Sequence, residues 1–269
     1  MSGNDANDKT KDRTNSQTSN EVNNQTSSLA SEQLKSPNKI RGGRANASTF
    51  TLTHQTELED YILAHTDPEP ELLHYVDRVT HLRTIQPRMI SGHAQGALLK
   101  MLVRMVRPRL LLEVGTFTGY SALAMAEGLS DPAARLHTVE INDELEEMIR
   151  ENIGRSERRD QIVVHIGTLE QALSDMEREL GKVEIDMVFI DADKRHYAEY
   201  YNTLLPYVRK GGFLLADNVL WDGHVLSPAK ASDHHTQALQ EFNDMVAADP
   251  RVEKVIMPVR DGIMMMMKK

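Results

Sequence analysis

The sequence contains no cysteine in its 269 residues, and this absence excludes disulfides, thiolate metal ligands and thiol catalysis. It also lacks any apolar run near the length of about 18 residues that crossing a membrane requires. The N-terminus has no apolar segment of the kind that defines a signal peptide. Together these absences predict a cytoplasmic protein with no membrane partner.

Basic residues are also few, because 31 Lys and Arg stand against 40 Asp and Glu, for a net charge of −9. Residues 1–50 contain 7 basic and 5 acidic residues, which leaves 24 basic and 35 acidic residues and a net charge near −11 for the rest. An acidic body disfavours a broad interface with a phosphate backbone. Nucleic acid is therefore not the expected partner.

Large apolar side chains are nearly missing from residues 1–48, which are rich in Asn, Ser, Thr, Gln, Asp and Lys. Such a segment cannot bury enough surface to offset its chain entropy. We therefore predict a disordered polar tail over residues 1–48. The remaining residues, 49–269, are predicted to form a single domain.

The domain is predicted to begin with three helices. A capping box at Thr56-Glu57-Leu58-Glu59 predicts the start of the first helix. The second follows Asp67-Pro68-Glu69-Pro70, and the third begins near His93.

After these helices in the sequence, short apolar runs alternate with amphipathic stretches. This alternation is typical of a parallel sheet covered by helices on both faces. The runs lie at 110–114, 136–141, 162–166, 185–190 and 212–216, and the amphipathic stretches near 121–128, 143–153, 169–180, 196–208 and 232–247. Two final runs, 252–259 and 263–267, are joined by a tight turn at Arg260-Asp261-Gly262. The prediction is an α/β fold with a mostly parallel seven-stranded sheet and an antiparallel C-terminal hairpin.

The segment Glu113 to Ser121 (EVGTFTGYS) indicates a strand that breaks into a glycine turn and then a helix. Gly115 and Gly119 allow a ligand to approach the backbone, and the N–H groups of the helix would face that ligand. The spacing is not the Gly-x-Gly-x-x-Gly dinucleotide fingerprint. The turn is therefore either a nucleotide-binding turn or a βα turn in which the glycines serve packing.

Other small or acidic residues end the neighbouring strands. Glu140 comes 25 residues after Gly115, and an acid there can accept hydrogen bonds from ribose hydroxyls, in NAD enzymes and nucleoside-binding methyltransferases alike. An acid at the start of a helix is the alternative. The third strand ends at Gly167-Thr168, where small residues could let an adenine ring lie flat.

Strands four and five end in Asp191 and in Asp217-Asn218. Because such strands are neighbours, their side chains should converge, and two converging carboxylates repel unless a cation intervenes. Oxygen ligands favour a hard ion such as Mg²⁺, Ca²⁺ or Mn²⁺. Each acid taken alone could be an ordinary loop residue.

Three motifs resemble the cation-dependent O-methyltransferases, the group of caffeoyl-CoA and catechol O-methyltransferases. They are EVGTFTGYS from Glu113, DADK from Asp191 and DNVLWDG from Asp217. The resemblance covers roughly residues 55–269. It implies a Rossmann-like fold, S-adenosylmethionine as methyl donor and a divalent metal that anchors the acceptor.

Site residues follow from the resemblance position by position. Asp191, Asp217 and Asn218 would bind the metal, and Lys194 beside Asp191 would act as general base. The residues implied in donor binding are Ser91, Glu113, Gly115, Thr116, Ser121, Glu140, Gly167, Thr168, Leu169 and Asp193. A homodimer and a hydroxylated aromatic acceptor are also implied.

The sequence departs from the plant pattern at two places, which puts a phenylpropanoid acceptor in doubt. Asp222 replaces an asparagine, and the adenine loop reads Gly167-Thr168-Leu169. His93, Trp221, His224 and Arg195 either line the acceptor pocket or pack in loops. A tRNA hydroxyuridine methyltransferase is the alternative within the family. A nicotinamide dehydrogenase would leave Asp191, Asp217 and Asn218 without a role.

Overall fold

The computed structural model describes residues 51–269, and residues His54–Lys269 form one compact unit. The predicted polar tail, residues 1–48, lies outside the described residues. Within the described part the sheet has seven strands in the order β3-β2-β1-β4-β5-β7-β6. The strands are β1 Leu110–Val114, β2 Arg135–Glu140, β3 Ile162–Ile166, β4 Ile185–Ile190, β5 Val208–Ala216, β6 Val252–Met257 and β7 Ile263–Lys268.

Strands β1 to β5 pair in parallel, whereas β7 is antiparallel to both β5 and β6. This confirms the predicted mostly parallel seven-stranded sheet with an antiparallel C-terminal hairpin. The strand order reverses between β1 and β4: β2 and β3 follow on one side of this pair, and β5 follows on the other. In open α/β sheets, ligands bind beyond the carboxyl ends of the strands at such a point.

Helices cover both faces, as predicted. The helices are α1 Thr51–Ala64, α2 Glu71–Arg83, α3 His93–Val106, α4 Tyr120–Ala126, α5 Glu146–Gly154, α6 Leu169–Leu180, α7 Tyr197–Leu204 and α8 His234–Ala248. On one face, α2 to α5 pack residues such as Val76, Leu99 and Ile149 against the sheet. On the other, α6 to α8 contribute residues such as Leu173 and Phe242. None of the helices in residues 51–269 combines the length and apolarity needed to cross a bilayer.

Three element boundaries differ from the prediction by four residues or more. Thr56 lies inside α1, so the capping box does not begin that helix. Helix α7 ends at Leu204 because Pro206 cannot continue it and the chain enters β5 at Val208. The start of β5 was missed because Arg209, Lys210 and two glycines interrupt the apolar pattern. β5 begins at Val208 because Val208 pairs with Ile185 of β4.

Candidate active site

A close backbone approach at Gly115 joins the turn after β1 to the end of β4. Gly115 has a φ of 102°, and a Cβ placed there would overlap the carbonyl oxygen of Asp191. Glycine alone accepts both this backbone conformation and this contact. The turn therefore fixes the distance between two loops that carry predicted site residues.

Glu113 is a buried carboxylate with one oxygen that has no hydrogen-bond partner in the described chain. The side chain is 0% exposed, and Thr138 donates to Oε2 at 2.6 Å. Thr116 supports this contact, because its Oγ1 lies 2.5 Å from that of Thr138. Oε1 has no partner. Burial raises the pKa of Glu113 to about 8, although the neighbouring hydroxyls of Ser121 and Thr138 oppose the rise. A cationic ligand group would satisfy this atom.

Glu140 ties the glycine turn to the end of β2. Its Oε2 accepts from the backbone N–H of Phe117 at 2.7 Å, and its Oε1 accepts from Asn142 at 2.9 Å. Each oxygen keeps a second lone pair that a ribose hydroxyl could use. The structural role is therefore present, and the ribose contact stays a prediction.

The residues predicted to border the adenine, Gly167 to Leu169, lie at the start of helix α6. Thr168 caps α6, where its hydroxyl accepts from Gln171 N–H at 3.3 Å and the Gln171 side chain accepts from Thr168 N–H at 2.9 Å. Leu169 is buried in the core. Gly167 has a φ of 141°. The Thr168 hydroxyl and the Leu169 side chain are thus engaged by the protein itself, which leaves the backbone of this turn to meet a ligand.

Asp193 and Ser91, which are also predicted to bind the methyl donor, form hydrogen bonds within the protein. Asp193 accepts from Arg195 at Oδ1 and Oδ2, both at 3.0 Å. The Arg195 hydrogen bonds hold the pKa of the Asp193 carboxyl at about 2. Ser91 is buried, and its carbonyl oxygen accepts from the guanidinium of Arg260. Both lie on segments that flank the strand ends.

Asp191 and Asp217 follow paired positions of β4 and β5. Ile190 pairs with Ala216, and the N–H of Asp217 donates to the carbonyl of Ile190 at 3.0 Å. Asp217 is 2% exposed. Burial, and then the charge of Asp191, raise the pKa of the Asp217 carboxyl to about 6. The structure therefore brings the two predicted carboxylates together, and their repulsion favours a cation between them.

Asn218 completes the predicted ligand set. Its φ is 58°, a left-handed conformation that asparagine tolerates better than most residues. Its N–H donates to Oδ1 of Asp217 at 2.8 Å. Residues 51–269 contain no group of three His, Cys, Asp or Glu placed to bind a metal. Two carboxylates and one amide nevertheless fit Mg²⁺, which is held by few protein ligands with water or substrate at the other positions.

Lys194 is buried beside this pair. Its Nζ donates to Oδ1 of Asp191 at 2.7 Å and to the hydroxyl of Tyr197 at 2.8 Å. Tyr197 is fully buried and lies within hydrogen-bond distance of the carbonyl oxygens of Ile190 and Asp217. Burial raises the pKa of Tyr197 well above its usual range, so the hydroxyl stays protonated. Lys194 is therefore not a surface lysine, because its side chain is buried and contacts the carboxylate of Asp191.

Several residues offered for the acceptor pocket have other contacts. His93 Nε2 lies 2.8 Å from the carbonyl oxygen of Asp67. Trp221 stacks on His235 with ring centroids 5.7 Å apart. His224 lines a cavity of about 370 Å³ beside α8. Asp222 anchors its own turn, since its N–H donates to Asp261 at 2.5 Å.

Sequence reasoning missed Tyr197, Gln95 and Arg260. Tyr197 follows Lys194 by three residues on a helical turn, which is a signal that could have been read. Gln95 and Arg260 lie on α3 and in the β6–β7 turn, far from Asp217 in sequence, yet Gln95 donates to Asp217 at 2.5 Å. No local sequence pattern predicts the contact between Gln95 and Asp217.

Comparison with known proteins agrees with this geometry. A family model described as O-methyltransferase matches residues 63–269. The chain belongs to the O-methyltransferase family. Among curated members, the caffeoyl-CoA O-methyltransferase of Petroselinum crispum is 32% identical over 222 residues, covering 79% of this chain and 91% of that protein. Caffeoyl-CoA O-methyltransferase 1 of Eucalyptus globulus is 33% identical over 180 residues, covering 65% and 73%.

Solved structures of this family share the fold. The O-methyltransferase of Bacillus cereus in complex with SAH is 29% identical, with a TM-score of 0.72 over 79% of this chain and 97% of that one. TomG of Streptomyces achromogenes, in complex with SAM, is 28% identical, with a TM-score of 0.72 over 79% and 96%. The family membership excludes a nicotinamide dehydrogenase.

Proposed function

We propose that this chain transfers a methyl group from S-adenosylmethionine to a hydroxyl of a catechol-like or phenolic acceptor. The proposal places the acceptor on a divalent cation at Asp191, Asp217 and Asn218. The single observation that carries it is the convergence of two carboxylates at the paired ends of β4 and β5, with Lys194 buried beside them. An ordinary loop has no use for that arrangement.

The donor fits the glycine turn. S-adenosylmethionine carries an ammonium group, and the unpartnered Oε1 of Glu113 is the acceptor that such a group would satisfy. Relatives that bind SAM or SAH support the same donor here. We assign the ribose to Glu140 and the adenine to the turn at Gly167 and Thr168. Ser91, Thr116, Ser121 and Asp193 would border the rest of the donor.

When bound, the cation would lower the pKa of two vicinal hydroxyls, and the sulfonium donor would supply a methyl group that is already activated. The protein's own part is alignment and proton removal. Lys194 contacts the carboxylate of Asp191, which would also hold that cation. Lys194 can then take the hydroxyl proton at Nζ. Tyr197 holds Nζ in place through its hydroxyl.

Alignment is the larger contribution. Holding the acceptor oxygen in line with the methyl group can supply several powers of ten in rate. The backbone contact at Gly115 keeps the donor turn and Asp191 at a fixed separation. Asp217 is held from both sides by Asn218 and Gln95. With these contacts, the proposed donor and acceptor subsites would lie on one edge of the sheet.

The acceptor is a hydroxylated aromatic compound, as the names of the caffeoyl-CoA relatives suggest. Asp222 replaces the asparagine of the plant pattern, and its N–H is bound to Asp261. The side chain at this position of the loop after β5 therefore differs from that pattern. We infer that the acceptor is a small catechol rather than a coenzyme A ester.

The test is a transfer assay with labelled donor against catechol, caffeoyl-CoA and tRNA, with Mg²⁺ or with EDTA. We expect transfer to catechol that EDTA abolishes while donor binding survives. Transfer to tRNA alone would contradict the acceptor class, and transfer undiminished by EDTA would remove the cation from the proposal. We also propose that the protein is cytoplasmic and forms a homodimer. Sedimentation of the purified chain tests the dimer.

A further inference from the structure

Arg260 lies in the turn between β6 and β7, and its guanidinium reaches the start of α3. Nη1 donates to Oε1 of Gln95 at 2.9 Å and also to the carbonyl oxygens of Ser91 and Ile90. Gln95 in turn donates from Nε2 to Oδ2 of Asp217 at 2.5 Å. Three segments that are far apart in sequence thus form one chain of hydrogen bonds, which ends on a proposed cation ligand.

Arg260 and Asp217 together fix the direction of the Gln95 amide. A glutamine side chain has an acceptor end and a donor end, and a flip exchanges them. Arginine offers only donors, so Oε1 must face Arg260 and Nε2 is left to face Asp217. Without Arg260, Oε1 of Gln95 loses its donor, and the amide is then held by Asp217 alone.

The hydrogen bond between Gln95 and Asp217 is buried, so water cannot easily replace it. Gln95 is 0% exposed and Asp217 is 2% exposed. Oδ1 of Asp217 accepts from the N–H of Asn218 at 2.8 Å, while Oδ2 accepts from Gln95. The rotation of the carboxylate is therefore fixed from both sides. Each oxygen keeps a lone pair that can point at a cation.

The backbone at Arg260 is consistent with a side chain retained for its contacts. Its φ is 48°, a left-handed conformation that favours glycine or asparagine over arginine. Non-glycine residues in this region occur preferentially where surrounding contacts fix them. Here those contacts are the hydrogen bonds to Gln95, Ser91 and Ile90.

We propose that Arg260 is a positioning residue that acts through Gln95 to hold the Asp217 carboxylate in the orientation that binds the divalent cation. This inference rests on the proposed function, because it takes Asp217 as a cation ligand. Arg260 itself touches neither the cation nor the acceptor. Contacts of this kind, one step removed from a metal, typically change metal affinity by about 10- to 100-fold.

The experiment is a double-mutant cycle on the full chain, with Mn²⁺ affinity measured by titration calorimetry. Arg260→Met and Gln95→Leu should each weaken Mn²⁺ binding by about 10-fold or more. The double variant should be no weaker than Gln95→Leu alone, because Arg260 has nothing left to orient. Arg260→Lys, which keeps a donor-only side chain, should recover most of the affinity.

Two further readouts separate positioning from general damage to the fold. The Mg²⁺ concentration for half-maximal transfer should rise in Arg260→Met, while kcat at saturating Mg²⁺ falls less than threefold. Arg178→Met, at an exposed ion pair with Asp175, is the matched control and should change neither quantity. Thermal unfolding of each variant identifies a loss of folding.

The outcomes distinguish this inference from the proposed function. If the unaltered chain binds no Mn²⁺ and transfers no methyl group, the proposed function fails. If the unaltered chain binds Mn²⁺ and Arg260→Met binds it equally well, the positioning role is wrong. Additive losses in the double variant would also overturn it, because Arg260 would then act independently of Gln95.

Discussion

Lys194 and Asp191 form a buried ion pair in which Nζ lies 2.7 Å from Oδ1, with side-chain exposures of 10% and 17%. The two residues are three apart in sequence and bracket the loop that leaves β4. Their pairing means that any cation at Asp191 shares a carboxylate with Lys194. The acid–base chemistry of the site is therefore coupled to cation binding.

Replacing Lys194 tests that coupling. Lys194→Arg keeps a positive charge near Asp191 but cannot release a proton at neutral pH. We expect kcat to fall by about 10²- to 10⁴-fold, the usual contribution of a general base, while donor affinity changes little. Steady-state kinetics and donor calorimetry measure both. Lys182→Arg, at an exposed pair with Glu184, is the control. Full activity in Lys194→Arg would mean that another group removes the proton.

Replacing Asp217 should separate activity from stability. Burial and the charge of Asp191 raise the pKa of Asp217 to about 6, so its carboxylate is held in an unfavourable place. Asp217→Asn removes that charge but sets an amide nitrogen against one of the two donors that Asp217 binds, so the free energy of unfolding should change by less than about 2 kcal/mol at pH 7. Methyl transfer should fall at least about 100-fold, because a metal ligand is lost. Denaturant titration and transfer assays measure the two effects, and a stable variant with unchanged transfer would move the cation elsewhere.

Glu113 should make donor binding depend on pH. Burial raises its pKa to about 8, so the free protein holds Glu113 mostly protonated at pH 7. The donor ammonium favours the carboxylate, so binding should release a proton and tighten as pH rises from 6 to 7.5. Calorimetry in buffers of different ionisation enthalpy measures the proton release. Glu113→Gln should abolish it, whereas the exposed Glu184→Gln should leave it intact.

The same carboxyl should affect stability in a defined direction. Its pKa in the folded state lies above the unfolded value of 4.5, so its contribution is present below pH 4.5 and is lost as pH rises toward 8. The loss is on the order of a few kcal/mol. Unfolding curves at pH 5.5 and 8.5 should therefore differ less for Glu113→Gln than for the unaltered chain. Equal differences would show that Glu113 is ionised in the folded protein throughout this range.

A histidine pair should make the fold sensitive to acid. Nδ1 of His137 lies 2.9 Å from Nε2 of His165, where the two strands β2 and β3 meet α6. Burial, and then the neighbouring His165, lower the pKa of His137 to about 4. Its contribution is present above the unfolded value of 6.5 and is lost as pH falls toward 4.

The effect is about 3 kcal/mol at most. Between pH 7 and 4.5 the unaltered chain should lose more stability than His137→Gln. Unfolding by denaturant at the two pH values measures the difference. His81→Gln, at an exposed histidine on α2, should follow the unaltered chain.

The C-terminal hairpin shows how far a sequence pattern reaches. Two strand-like runs and an Asp-Gly turn predicted β6 and β7 correctly, because strand alternation and turn chemistry are local properties. The place of the hairpin in the sheet is different. β7 pairs with β5, so Met264 and Met266 are buried in the core. That pairing also brings Arg260 to α3.

The sequence by itself determined the strand and helix order, the glycine turn, and the acids that end β4 and β5, since each depends on residues close together in the chain. Only the tertiary structure decided that Tyr197 holds Lys194, that Glu113 has an unpartnered oxygen, and that Arg260 reaches Asp217 through Gln95. Those contacts join residues on different elements. Packing sets their distances, and packing has no local signature.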